Sequence, residues 1–237
     1  MFLLSKYQYK KDKMYLYYMD VSNLNLEDIK KYVSKDRWET SKKYFHLKDK
    51  QLHMGSEALL NYILKKINIE NPLYDITKYG KPFLKNYPGI NFNISHSEKY
   101  VFCGVSNQAI GVDIEYHQNI DLNIAKTNFH KEEYDYIINS ENKIKSFYDI
   151  WTLKESYLKM EGLGLNLDLN SFIINIIKNN IQITFNEEIP NSLDKKINFK
   201  LWNIKDNQNK NYSLGVCALK KIDEIKLINF KEIIEKN

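Results

Sequence analysis

The chain has 237 residues, 43% of them hydrophobic and 14% aromatic, with a formal net charge of +5. That size and composition can bury a real core and exclude a disordered chain, and no run approaches the ~18 apolar residues of a membrane-spanning helix. The mild positive excess suits an anionic ligand or an acidic protein partner, while the lack of a long basic run or a known binding motif argues against nucleic acid.

Met1 to Lys13 carries several lysines and no apolar run followed by a small-residue cleavage site. No signal peptide is therefore read, and a cytoplasmic location is expected. The only two cysteines, Cys103 and Cys217, sit in apolar runs and read as buried strand residues, not as a disulfide or a metal site.

Met14 to Val21 reads as a first strand, and Leu26 to Val33 and Asp36 to His46 carry helical patterning. Arg37, Lys42 and Lys43 give the second of these helices a basic face. Lys50 to Ile69 is a long helix with an apolar stripe of Leu52, Leu59, Leu60, Ile63, Leu64 and Ile67. Tyr79-Gly80-Lys81-Pro82 reads as a turn, with Lys81 solvated by default. Three strands follow, at Asn91 to His96, Tyr100 to Ser106 and Ala109 to Glu115, and short polar turns between them predict an antiparallel meander.

The third of these strands, Ile110-Gly111-Val112-Asp113-Ile114-Glu115, holds the first chemical signal. Alternation puts Asp113 and Glu115 on one face, roughly 7 Å apart, with Val112 and Ile114 on the other. At an effective dielectric of about 20 the two charges repel by roughly 2 kcal/mol, a cost that a hard divalent cation between them removes. The alternative is that both acids face solvent on an edge strand.

Leu122 to Asn128 and Lys131 to Asn139 read as short helices. Glu133 stands where a capping box would place its glutamate, but His130 replaces the usual Ser or Thr, which weakens a purely structural explanation. In the next stretch Phe147, Ile150, Trp151, Lys154 and Leu158 recur at helical spacing, with Glu155 and Lys159 on the margin of the apolar stripe. Those two are either a surface ion pair or a third metal carboxylate one turn from a phosphate-binding lysine. Glu161-Gly162-Leu163-Gly164-Leu165 ends the helix, and strands are predicted at Phe172 to Ile177, Ile181 to Phe185, Ile197 to Ile204 and Tyr212 to Leu219. Tyr212 to Leu219 echoes Tyr100 to Val105, a cysteine in each, so the expected fold class is α+β with two similar lobes, 1–107 and 108–237.

G-V-D-I-E and W-T-L-K-E-S-Y-L-K, together with K-Y-G-K-P at Lys78 to Pro82, F-N-I-S-H-S at Phe92 to Ser97 and F-H-K-E-E-Y at Phe129 to Tyr134, resemble the signatures of the 4′-phosphopantetheinyl transferases. The similarity is to the surfactin-synthetase-activating (Sfp-like) class and runs from about Ser34 to Leu219. It implies a pseudo-twofold α+β fold and transfer of the phosphopantetheine arm of coenzyme A to a serine of an apo carrier protein, releasing adenosine 3′,5′-bisphosphate. Fatty-acid, polyketide and non-ribosomal peptide carriers all present such a serine.

By the same resemblance Asp113, Glu115 and Glu155 hold Mg²⁺, Glu133 is the catalytic base and Lys159 stabilises the departing phosphate. Arg37, Lys81, Ser95, His96 and Lys159 contact coenzyme A. Thr40, and Gln51 or Leu52, stand where the family carries further cations for the 3′-phosphate. His53 or Lys42 is a candidate substitute. Lys154 is either an assisting residue or a solvated one. Ile120, Leu122, Ile124 and Phe129 are candidates for receiving the carrier helix. Two lobes in one chain imply a monomer. Two rivals remain open: a Mg²⁺-dependent nucleotide phosphodiesterase, and a coenzyme A binding module without catalysis.

Overall fold

A computed structural model describes residues 13–164, 167–178, 180–185 and 196–235. The lysine-rich start, read above for a signal segment, lies outside them through residue 12, as does Leu165 of the Gly-rich loop. The chain is mixed α+β and divides into two compact units. One comprises Met1–Asp75, Pro82–Asn107 and Asp223–Asn237, the other Ile76–Lys81 and Gln108–Ile222.

In the first unit, β1 (Tyr15–Asp20) is followed by two short helices, α1 (Leu26–Ile29) and α2 (Lys35–Ser41), and the long α3 (Leu47–Lys66). Asn25 caps α1 and Ser34 caps α2, each side-chain oxygen accepting a backbone N–H of the first turn. The turn at Gly80, whose φ of +83° a glycine adopts without strain, joins the short strands β2 (Tyr74–Ile76) and β3 (Pro82–Leu84). β4 (Asn91–Ser97) and β5 (Tyr100–Ser106) make a two-residue hairpin with Glu98 at φ +55°. The sheet order is β11-β1-β5-β4, where β11 (Lys226–Leu227) pairs parallel with β1. The stripe of α3 is buried as its spacing predicted, with Leu59 and Ile63 fully inaccessible, and packs over β5.

The second unit opens with β6 (Ile110–Tyr116), then α4 (Asn123–Asn128), α5 (Lys131–Asn139) and α6 (Lys143–Glu161). A hairpin of β7 (Phe172–Ile177) and β8 (Asn180–Phe185) precedes β9 (Asn198–Lys205) and β10 (Asn211–Ala218). The main sheet of this unit is β6-β10-β9, antiparallel throughout. A last helix, α7 (Phe230–Glu235), belongs to the first unit. Each unit thus sets one long helix against a sheet whose inner strands include one with a buried free cysteine, Cys103 on β5 and Cys217 on β10.

The meander expected from Asn91 to Glu115 does not form. β5 is flanked by β4 and β1, whereas β6 pairs along its whole length with β10. Both edges of β5 are already occupied, so the chain leaves that sheet after Ser106 and begins another.

Two glycines decide how closely α6 lies on its sheet. A Cβ on Gly111 would stand 1.9 Å from the Ser156 carbonyl oxygen and 2.4 Å from the Met160 nitrogen; one on Gly215 would stand 2.6 Å from the Thr152 oxygen. Those are backbone atoms of a buried helix, which cannot yield as a side chain end does. Gly111→Ala is expected to lower stability by about 1–3 kcal/mol through overpacking, read as a drop in thermal midpoint. Gly89→Ala, where an added Cβ meets nothing within 4 Å, is the control with no change. Equal midpoints for the two variants would show that α6 moves freely over β6.

Candidate functional site

Gly111, Asp113 and Glu115 share the face of β6 that α6 covers, because strand side chains alternate and Gly111 touches α6 directly. The approach of the two backbones therefore brings Asp113 and Glu115 to the face of α6 that carries Glu155 and Lys159. Lys159 Nζ donates to Asp113 Oδ1 at 2.5 Å, and Asp113 is only 2% exposed. Glu115 and Glu155 are half-buried. The alternative in which both strand acids face solvent is thus excluded for Asp113: β6 is an edge strand, but its acidic face is under a helix.

The electrostatics record the same cluster. Burial, and then repulsion from Asp113, push the Glu155 carboxyl above its ordinary range, and Lys159 opposes the shift. Burial alone would weaken the Lys159 ammonium, but Asp113, Glu155 and Glu115 together outweigh it and hold its pKa above the usual lysine value. Three carboxylates thus act on one ammonium.

The donor set fits a hard divalent ion, since all three acids offer oxygen. Among the described residues no three His, Cys, Asp or Glu side chains are gathered tightly enough to cage a metal unaided.

A buried polar network that sequence reasoning missed ties the same elements together. Asp149 of α6 accepts from Ser213 Oγ at 2.5 Å and from Asn203 Nδ2 at 2.7 Å. His117 Nε2 lies 2.7 Å from Ser213 Oγ, and its ring stacks on Tyr148 with centroids 5.1 Å apart. Ser213 stands opposite Glu115 in the β10–β6 register. Asp149, two residues from Phe147, falls on the side of the helix opposite the apolar stripe, so the spacing carried no signal of its burial.

Glu133 is the base that the resemblance implies, and the His130 beside it is not a usual capping residue. The structure forms the capping box all the same: the Glu132 N–H donates to His130 Nδ1 at 3.3 Å, and the His130 N–H donates to Glu133 Oε2 at 3.0 Å. An imidazole nitrogen accepts here as a hydroxyl would. Glu133 Oε1 accepts from the Ile174 N–H at 2.7 Å and from Lys154 Nζ at 2.8 Å, with both charged side chains 0% exposed. A base must reach the proton it takes, directly or through one water, and this carboxylate is enclosed with both oxygens engaged.

Lys154 is likewise not solvated. Its ammonium also donates to the carbonyls of Leu169 at 2.7 Å and Phe172 at 2.5 Å, and stands 4.1 Å from the Phe172 ring centroid. Burial lowers its pKa to about 8, against the pull of Glu133. Burial raises that of Glu133, against Lys154 and the two backbone donors.

The remaining expected residues lie apart from this cluster in the chain. Lys81, in the second unit, is half-buried; Nζ donates to the Met160 carbonyl at 2.9 Å, and burial lowers its pKa to about 8. It caps the end of α6 instead of being solvated. Ser95, buried, and His96, exposed, are on β4 of the first unit.

Arg37 lines a cavity of about 370 Å³ in that unit with Thr40, His53, Glu57, Tyr74 and Phe92. Arg37 Nε donates to Glu57 Oε2 at 2.9 Å and Nη1 lies 2.9 Å from His53 Nδ1. Burial, then Arg37, depress the His53 pKa to about 4. His53, one of the two candidate substitutes, is therefore beside Arg37, whereas Lys42 pairs with Glu39. Glu57 was missed, although its i,i+4 spacing from His53 on a helix signalled a shared face. Of the candidate docking residues, Phe129 is buried against Phe147, Ile120 and Leu122 are half-buried, and Ile124 is exposed.

A family model described as the 4′-phosphopantetheinyl transferase superfamily matches residues 109–217, which contain the acidic strand and α6. The chain is 39% identical over 147 residues to the 4′-phosphopantetheinyl transferase gsp of Aneurinibacillus migulanus, covering 60% of this chain and 61% of that protein. It is 32% identical over 171 residues to the 4′-phosphopantetheinyl transferase ffp of Bacillus subtilis, covering 69% of this chain and 76% of that protein. Against the 4′-phosphopantetheinyl transferase Sfp of Bacillus subtilis (strain 168) the identity is 29% over 231 residues, 94% of this chain and 100% of that protein.

Proposed function

The chain belongs to the 4′-phosphopantetheinyl transferase superfamily, and from that membership we infer that it transfers the 4′-phosphopantetheine arm of coenzyme A to a serine hydroxyl of a carrier protein. Adenosine 3′,5′-bisphosphate leaves. The observation that carries the reading at the level of chemistry is the meeting of Asp113 with Lys159 and Glu155 where β6 passes under α6. Transfer of a phosphate-linked group from a pyrophosphate to a hydroxyl depends chiefly on positioning and on charge stabilisation.

We assign Asp113, Glu115 and Glu155 to Mg²⁺, which when bound would neutralise charge on the pyrophosphate. Lys159, an ammonium at the rim of that cluster, is assigned to the charge that builds on the departing phosphate. Arg37, Lys81, Ser95 and His96 are assigned to coenzyme A. The cavity at Arg37 and the exposure of His96 support this. Two buried free cysteines fit a reducing cytoplasm. Two units in one chain favour a monomer, for which light scattering should give a mass near 28.3 kDa.

Incubation with coenzyme A, Mg²⁺ and an apo carrier, followed by intact-protein mass spectrometry, tests the reading. The carrier is expected to gain the mass of one phosphopantetheine arm. Cleavage of coenzyme A with an unmodified carrier would mean a hydrolase, and binding without cleavage a coenzyme A module.

Ile124, exposed on α4, is assigned to the carrier-docking surface. Ile124→Asp should then raise the KM for the carrier several-fold, on the order of 1 kcal/mol, and leave the KM for coenzyme A unchanged. An unmoved carrier KM places the docking surface elsewhere.

A further inference from the structure

The Glu133–Lys154 pair is enclosed, yet it sits one residue from Glu155 on α6 and joins three elements at one point. Through Glu133 it holds the start of α5, where the His130 N–H donates to Oε2. Through the same carboxylate it holds β7, where the Ile174 N–H donates to Oε1. Through Lys154 it holds α6 to the carbonyls of Leu169 and Phe172 at the entry to β7.

A lysine ammonium has three protons to donate, and three acceptors are present: Leu169 O, Phe172 O and Glu133 Oε1. A pair so satisfied has one geometry, and any rotation of α6 about its axis would break it. Gly111 and Gly215 fix the other side of the helix by direct backbone contact. Between the two restraints, the orientation of Glu155 and Lys159 toward β6 has little freedom.

We propose that Glu133 and Lys154 are positioning residues for the transfer reaction, a buried clamp that sets the rotation of α6 and hence where Glu155 and Lys159 stand, and that neither touches the acceptor serine. The proposal rests on the transferase reading, and it makes Glu133 dispensable as a proton acceptor.

The test compares Glu133→Gln, Lys154→Met and the double variant in the full chain. In the double variant no charge is left buried without its partner, the amide oxygen still accepts a backbone N–H, and methionine approximates the lysine stem in volume. A similar-volume replacement of a buried pair is often tolerated where removal of one partner is not. Each single variant is expected to lose kcat by about tenfold or more with the KM for coenzyme A little changed, and the double variant to recover to within about threefold of wild type. If Glu133 were the base, Glu133→Gln and the double variant would both stay down by about 10²–10⁴-fold, and the proposal would be overturned.

Hydrogen exchange over α6 is the second readout, and it does not depend on transfer. The clamp predicts faster exchange between Asp149 and Lys159 in each single variant and restored protection in the double. Unchanged exchange in the single variants overturns the clamp even if the chain proves to modify no carrier. A wild type that modifies no carrier, with exchange behaving as expected, removes the transferase reading while the clamp on α6 stands.

Discussion

Asp113→Ala is expected to cut transfer to the carrier by about 10²–10³-fold, the usual effect of removing one preorganised charge-stabilising group, with the fold intact. Asp113 is the most enclosed acid of its cluster, seated under α6 and bonded to Lys159 at 2.5 Å. Its loss removes a ligand of the assigned metal and also frees the lysine that it orients. Lys159 is not stranded by the change, because Glu155 and Glu115 still act on it and part of its side chain reaches solvent. Stability should therefore change much less than rate.

Steady-state kinetics against coenzyme A and carrier, with circular dichroism as the check on folding, reads both quantities. The loss should appear in kcat over a range of Mg²⁺ concentrations. A folded variant that keeps transfer within a few-fold of wild type would remove Asp113 from the chemistry.

Lys154→Ala has the opposite signature: a large effect on stability that precedes any effect on rate. The pair with Glu133 is closed to water on both sides, so truncation leaves a buried carboxylate facing a void and two backbone carbonyls without their donor. Removing one partner of a buried pair typically costs about 3–5 kcal/mol, a large share of the ~5–15 kcal/mol that holds a domain folded. At about 2–4 °C per kcal/mol for chains of this size, the thermal midpoint should fall by about 10 °C or more.

Lys131, paired with Asp135 on the surface of α5, is the contrast. Lys131→Ala should leave the midpoint where it was, because exposed pairs are screened and mobile. If the two lysine variants melt together, water reaches the Glu133–Lys154 pair in solution.

The local pattern of the chain determined much of what these experiments address. The 2.0 period of β6 put Asp113 and Glu115 on one face, and the helical spacing from Phe147 to Lys159 put Glu155 and Lys159 at the margin of an apolar stripe. α5 and β7 begin and end where the alternation and the turn residues said. The cysteines are buried and free, as their apolar neighbours implied. Such features depend on residues a few positions apart, whose preferences act before any distant partner is chosen.

Tertiary structure decided the rest, because it turned on which distant segment occupies a sheet edge or covers a side chain. That β6 leaves the β4–β5 sheet for β10 is a choice among strands of similar composition, as is the pairing of Lys226–Leu227 with β1. Local sequence does not rank such choices. Glu133 and Lys154 show the same limit at the site. In sequence the two are 21 positions apart, Glu133 a base by resemblance and Lys154 either an assisting residue or a solvated one, and nothing local joins two charges that are each costly to bury alone. Only when α5, α6 and β7 converge do two backbone N–H groups, two carbonyls and the opposite charge arrive together to satisfy them. Burial of a charge depends on its partners, and here those partners come from three separate segments of the chain.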